Sequence, residues 1–303
     1  MKFSIKVAAL AALALFSSSV NADSMSDAIE AFCGGLDVTT PTTNDVVSPG
    51  QNATITVSKC VAIFFFFFIL PTLFLARVQN NYEKTITGVD LFSVGSDNNP
   101  KYVQNIWAGK YQLSTQATLT DTIPANVTAG VYYFRVWVTN VVNGGHGPDC
   151  LKTSPNFKVT TGTHTNEAGF VSYNEHLDDP NIYNPDHIKG CFGLKVQSPK
   201  EGDFAKQGSH VAITLNRDSA SQTEHLSKVD IYKKSENGQD ELVDSVWSGR
   251  ELLPNVITLK DQIKIPQDKY DSNAQYYYKI QVTSSAQSNE PCTFQSGYFK
   301  IVA

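Results

Sequence analysis

The chain has 303 residues, a formal net charge of -5, 41% hydrophobic and 17% charged residues, and a pI near 5.7. An acidic chain with no basic run offers nothing that would track phosphates, so nucleic-acid binding is excluded as a reading. The length leaves room for two ordinary domains, each able to bury a core of its own.

From the N-terminus, residues 1–22 carry Lys2 and Lys6, an apolar stretch from Val7 to Phe16, and the small-residue end Val20-Asn-Ala22. That is the pattern of a secretory signal peptide, with Asp23 opening the mature chain. Ser24 to Ala31 allows a short helix. A cysteine motif follows and is repeated: Cys33-Gly-Gly-Leu-Asp-Val-Thr-Thr-Pro41 returns as Cys191-Phe-Gly-Leu-Lys-Val-Gln-Ser-Pro199. Val89-Asp-Leu-Phe92 returns as Val229-Asp-Ile-Tyr232, and Ile106-Trp-Ala-Gly109 as Val246-Trp-Ser-Gly249. The offset is 158 residues up to Lys59 and 140 from Val78, so removal of the 18 residues 60–77 aligns Cys33 to Asp121 with Cys191 to Asp261 without a gap. The chain therefore divides into domain one (33–161), a linker (162–190) and domain two (191–303).

The insert, Cys60 to Arg77, contains five consecutive phenylalanines. As a membrane helix it is short and interrupted by Pro71; as a core strand it has no counterpart in the second copy. The third reading is a retained intron translated in frame: Lys-Cys can encode a GT across the boundary, phenylalanine codons a pyrimidine tract, and Ala-Arg a terminal AG. A genuine apolar loop that binds a membrane or a partner is the competing reading.

Strand-like runs in copy one fall at Leu36–Thr40, Ala53–Ser58, Ile86–Val94, Tyr102–Trp107, Gln116–Ile123, Val131–Asn140 and Asn156–Thr160, separated by Gly, Pro, Asn and Ser. Seven short strands predict an all-β fold of two tandem immunoglobulin-like β-sandwich domains. In the penultimate strand Tyr132, Phe134, Val136 and Val138 form the core face, matched by Tyr276, Tyr278, Ile280 and Val282. Ala129-Gly-Val-Tyr132 predicts a tyrosine corner. The repeated Trp107 and Trp247 read as core residues.

Repeat equivalence pairs Cys33 with Cys150 and Cys191 with Cys292, leaving Cys60 in the insert. Each disulfide would contribute about 4 to 5 kcal/mol on the chain-entropy model. Asn52-Ala-Thr54 and Asn126-Val-Thr128 are glycosylation sequons. The linker holds His164, Glu175, His176, Asp178, Asp179, Asp186 and His187, but no two histidines have metal-ligand spacing, so a solvated linker and no metal are expected. No catalytic motif or cofactor site is found. The repeated pairs Asp90/Asp230 and Asp121/Asp261 read as fold residues rather than glycosidase carboxylates. Tyr133, Arg135 and Trp137, on the outward face of the penultimate strand, are the candidate glycan-binding stripe: rings for stacking on sugars and a guanidinium for hydroxyls. In copy two Trp137 is matched by Gln281.

With Pro41 and Gly50 before an Ile55-Thr-Val57 strand, then Val89-Asp-Leu-Phe92, Ala129-Gly-Val-Tyr132 and Ser154-Pro-Asn-Phe157-Lys-Val159, each copy resembles the immunoglobulin-like N-terminal domain of fungal KRE/KNH cell-wall proteins. The resemblance implies a secreted, non-catalytic fungal wall or surface protein connected with β-glucan assembly or binding. Its partner would be cell-wall polysaccharide or a surface protein. The chain departs from that family in lacking a Ser/Thr-rich stalk, a basic C-terminal domain and an apolar tail for a lipid anchor, which favours a soluble tandem-domain relative. The alternative is a secreted effector that binds a small ligand or a host protein.

Overall fold

Strands with alternating burial build nearly everything in the computed structural model, which describes residues 29, 31–59, 82–95, 97–165, 167–169, 171–175, 185–235, 239–287 and 291–302. The signal-peptide reading at 1–22 and the insert reading at 60–77 both lie outside the described residues. The helix expected near Ser24–Ala31 is seen at its end, where residues 31–33 are helical and deliver Cys33 to its disulfide.

Domain one has nine strands, not seven: β1 (Leu36–Thr40), β2 (Val46–Val47), β3 (Asn52–Lys59), β4 (Glu83–Val94), β5 (Pro100–Leu113), β6 (Gln116–Thr122), β7 (Gly130–Val142), β8 (Gly145–Thr153) and β9 (Phe157–Val159). The linker contributes a hairpin of β10 (Thr163–Thr165) and β11 (Val171–Tyr173) and a single 3-10 turn, η1 (Pro185–His187). Domain two repeats the nine as β12 (Leu194–Ser198), β13 (Phe204–Lys206), β14 (His210–Arg217), β15 (Thr223–Lys233), β16 (Glu241–Leu252), β17 (Val256–Gln262), β18 (Gln275–Ser284), β19 (Cys292–Gln295) and β20 (Phe299–Val302).

Each domain is a sandwich of two sheets. The small one runs β1-β3-β6, repeated as β12-β14-β17; the large one runs β2-β9-β7-β4-β5 with β8 beside β7, repeated as β13-β20-β18-β15-β16 with β19 beside β18. Even the irregularities repeat: β4 shifts register against β5 at Ile86/Gly88, Val89/Asp90 and Leu91/Phe92, and β15 against β16 at the three equivalent places. Bulges re-aim side chains and strengthen twist, so the copies share a backbone and differ in what they hang on it.

The cores follow the period-two pattern. Ile55, Val57, Ile86, Val89, Leu91, Phe134, Val136 and Val138 fill domain one, and Ile213, Leu215, Val229, Ile231, Tyr278, Ile280 and Val282 fill domain two. The tyrosine corner forms in both: Tyr132 OH donates to Thr128 O at 2.6 Å, and Tyr276 OH to Asp271 O at 3.1 Å. The disulfides are Cys33–Cys150 and Cys191–Cys292. Trp107 and Trp247 are half-buried and lie over the core edge rather than within it. Each ring covers the glycine two residues on, the next residue on the same face of the strand. A Cβ at Gly109 or Gly249 would come within 2.9 Å of the indole, which accounts for the repeated Trp-x-Gly.

A third cluster joins the domains. Phe92, Val94, Val131 and Tyr133 on the outer face of the large sheet of domain one pack against Phe192 and Ala220 of domain two, with Ile188 of the linker beside them. Polar contacts fix the register: Gln222 Nε2 donates to Ser154 O at 2.7 Å, Asn156 Nδ2 to His187 O at 2.5 Å, and Gly193 N to Asn98 O at 2.8 Å. Gly193 sits at φ 72°, and a Cβ there would fall 2.8 Å from Ser221 and 3.2 Å from Pro100. Glycine alone fits that conformation and that approach.

Candidate functional site

The outer face of the large sheet of domain one is built by direct cross-strand neighbours on β5, β4, β7 and β8. Tyr102 lies opposite Phe92, Phe92 opposite Tyr133, Asp90 between Asn105 and Arg135, and Trp137 opposite Leu151. Tyr133, Arg135 and Trp137 therefore do share a face, as their spacing predicts, but each is used differently.

Tyr133 is fully buried. Its ring stacks on Phe92, with centroids 5.3 Å apart, and faces Phe192 of domain two at 5.6 Å. Its hydroxyl donates to the Ala220 carbonyl, and burial drives its pKa above the ordinary tyrosine value. A ring enclosed by the second domain has no face for a sugar, so Tyr133 is corrected from a candidate glycan contact to an interdomain residue. Period two told which side the ring points to; it could not tell that a domain covers that side.

Arg135 is half-buried, with its guanidinium carbon 4.5 Å from the centroid of Phe92 and 5.7 Å from that of Trp137. Its Nε is buried with no hydrogen-bond partner among the described residues, so the rings carry this side of the cation by cation–π attraction. Trp137 is also half-buried, and its indole donates to Asp90 Oδ2 at 2.6 Å while Asn105 Nδ2 donates to Asp90 Oδ1 at 3.0 Å. Asp90 is thus a buried carboxyl group with a hydrogen bond to each oxygen, the condition under which burial of a polar group is tolerated. In domain two the same aspartate, Asp230, is partnered differently: Lys228, at the position of Gly88, lies 2.7 Å from Asp230 Oδ2, Oδ1 is buried with no hydrogen-bond partner among the described residues, and Gln281 stands where Trp137 does. The two copies exchange a glycine–tryptophan pair for a lysine–glutamine pair around one buried carboxylate.

The other repeated aspartates also serve the fold. Asp261 accepts from Tyr278 OH at 2.8 Å, and burial raises its pKa; Asp121 accepts from Thr122 N at 2.7 Å. Both sequon asparagines, Asn52 and Asn126, are exposed.

The linker is less solvated than its composition predicts. His187 is 1% exposed, set edge-on to Phe192, and burial lowers its pKa despite Asp186 and Asp97 nearby. Burial opposes ionisation of Glu175 too, yet hydrogen bonds from Thr160 and Thr161 hold its carboxyl at about 2. His164 lies in β10 and Asp186 in η1, while His176, Asp178 and Asp179 lie outside the described residues. Among the described residues no group of three His, Cys, Asp or Glu side chains could hold a metal ion.

Two features escaped the sequence reading. Tyr102, 58% exposed and edge-on to Phe92, extends the aromatic face onto β5, where the strand's wet surroundings gave no apolar pattern to find it by. The second is a cleft of about 880 Å³ between the domains, lined by Leu151 and Lys152 of domain one and by Arg250, Leu252, Pro254 and Ile257 of domain two. No helix among the described residues is long and apolar enough to cross a membrane.

No protein-family model and no curated protein matches the chain. Among solved structures, the fibronectin(III)-like modules of Clostridium thermocellum CbhA are similar at 12% identity, covering 88% of this chain and 94% of that chain, with a TM-score of 0.21. That overlap bears on no functional point, and the sandwich class of this chain stands on its own two pairs of sheets.

Proposed function

We propose that the chain is a secreted, non-catalytic protein of the fungal cell wall or surface, and that its first domain binds β-glucan on the outer face of its large sheet. The observation that carries this reading is the exposed Tyr102, set edge-on to Phe92, on the same sheet face as the half-buried Arg135 and Trp137, which the Phe92 ring and the Asp90 hydrogen bond hold in place. Aromatic rings fixed on a sheet suit the apolar faces of sugar rings, and a guanidinium suits their hydroxyls. Two disulfides fit a chain that works in an oxidising compartment.

The test is co-sedimentation of the full chain with insoluble β-1,3- and β-1,6-glucan. The wild type should pellet with glucan, and Tyr102→Ala should raise the Kd read from the binding isotherm about tenfold, the loss of roughly 1.4 kcal/mol of ring contact. Equal binding by the two proteins would remove this face from the account.

A second reading, a secreted effector that takes up a small ligand, draws on the interdomain cleft, whose volume of about 880 Å³ lies in the range of small-molecule sites. Glucan-independent activity in the culture medium would favour it.

A further inference from the structure

Domain one buries a lysine against an asparagine, and domain two does not. Lys84 on β4 and Asn140 on β7 are direct cross-strand partners, 2% and 0% exposed, with Lys84 Nζ 2.5 Å from Asn140 Oδ1. The carboxamide is held from its other end: Asn140 Nδ2 donates to Pro148 O at 2.6 Å and contacts Cys150 Sγ at 3.2 Å. Lys84 Nζ donates in addition to Phe32 O. The amine therefore meets a carboxamide that cannot turn away, in a site closed to water. Burial, helped by the charge of Lys59, lowers Lys84 to about 8, so a neutral, nucleophilic amine is well populated at mildly alkaline pH. The equivalent residues of domain two are Glu224 and Ser284, which have no such chemistry.

We propose that Lys84 and Asn140 join in an intramolecular isopeptide bond that cross-links β4 to β7. The Nζ lone pair attacks Asn140 Cγ, a proton passes from Nζ to Nδ2, the Cγ–Nδ2 bond breaks, and ammonia leaves. No atom is oxidised or reduced, and no co-reactant is consumed. Pro148 O, already accepting from Nδ2, orients the leaving group. Among the described residues no carboxylate hydrogen-bonds to either side chain, so proximity supplies the drive: positioned intramolecular reactants reach effective concentrations of about 10⁵ to 10⁸ M. The bond accordingly forms after folding, slowly, and faster as pH rises through the pKa of Lys84.

Peptide mapping by mass spectrometry of the purified full chain, before and after incubation at a pH above that pKa, tests the proposal. It predicts a branched peptide joining the Lys84 segment to the Asn140 segment, lighter by one ammonia, about 17 Da, than the two together. The branched species should accumulate with time. It should be absent from Lys84→Arg and Asn140→Ala, and peptides of domain two should keep their full mass. Recovery of both segments unlinked and at full mass after alkaline incubation of the wild type would overturn it, whatever the variants do.

Discussion

Phe192→Ala is the sharpest test of how the two domains are joined. Phe192 is fully buried, yet it packs in the shared cluster with Phe92, Tyr133 and Ala220 rather than in the core of domain two. Truncating a fully buried phenylalanine costs about 3 to 5 kcal/mol, and the ring contact with Tyr133 makes up about 0.5 to 1.5 kcal/mol of that. Because each sandwich keeps its own core and disulfide, the loss falls on docking. Small-angle X-ray scattering should show a larger radius of gyration, and calorimetry should resolve two transitions where docking had coupled them. Tyr133 supplies an independent readout. Its pKa, raised by burial, should fall back towards the ordinary value near 10 in an ultraviolet titration. Unchanged scattering, unchanged melting and an unchanged tyrosine titration would together refute the interdomain cluster.

Two further outcomes follow from the same face. Trp137→Gln removes the indole donor from Asp90 and should cost about 2 kcal/mol in denaturant unfolding; adding Gly88→Lys, the arrangement of domain two, should recover at least half of it. Strictly additive losses would show that the two copies do not solve the same electrostatic problem. For His187, burial lowers the folded pKa below the unfolded value of 6.5, so the unfolded state binds more protons between the two. Stability should be intact above pH 6.5, fall as pH drops from 6.5 towards the lowered value, and level off below it. Denaturation curves of His187→Gln should lack that acid step; a step of equal size in the variant would assign it elsewhere.

Much of the fold was legible because the chain repeats itself. A residue that recurs at equivalent positions marks a requirement of the backbone: the disulfides and the fold role of Asp90 and Asp230 came from such pairs, whereas the repeated Trp107 and Trp247 read as core and prove instead to cover Gly109 and Gly249. What local patterning missed has physical causes. β8 begins Gly145-His-Gly-Pro-Asp149, with no alternation and few strand formers; its conformation is imposed by pairing with β7, a tertiary override of propensity. β2 is two residues long and exists through its parallel pairing with β9. The binding stripe was half legible. Alternation placed Tyr133, Arg135 and Trp137 on one face correctly, but a period of two cannot distinguish a face open to water from one covered by another domain. The signal that could have told them apart lay in the differences between the copies. Val94 and Val131 of domain one stand where domain two has Lys234 and Gln275, and Phe192 stands where domain one has Gly34. A face that turns apolar in one copy, beside a phenylalanine gained in the other, is an interface.

The central claim, that this is a wall protein holding β-glucan, is tested most directly by fractionating cells that make it. Quantitative immunoblotting should find the native chain in the alkali-insoluble glucan fraction of the wall, and glucanase digestion should release it. Protein recovered free in the culture medium, with none retained by wall glucan, would contradict the claim.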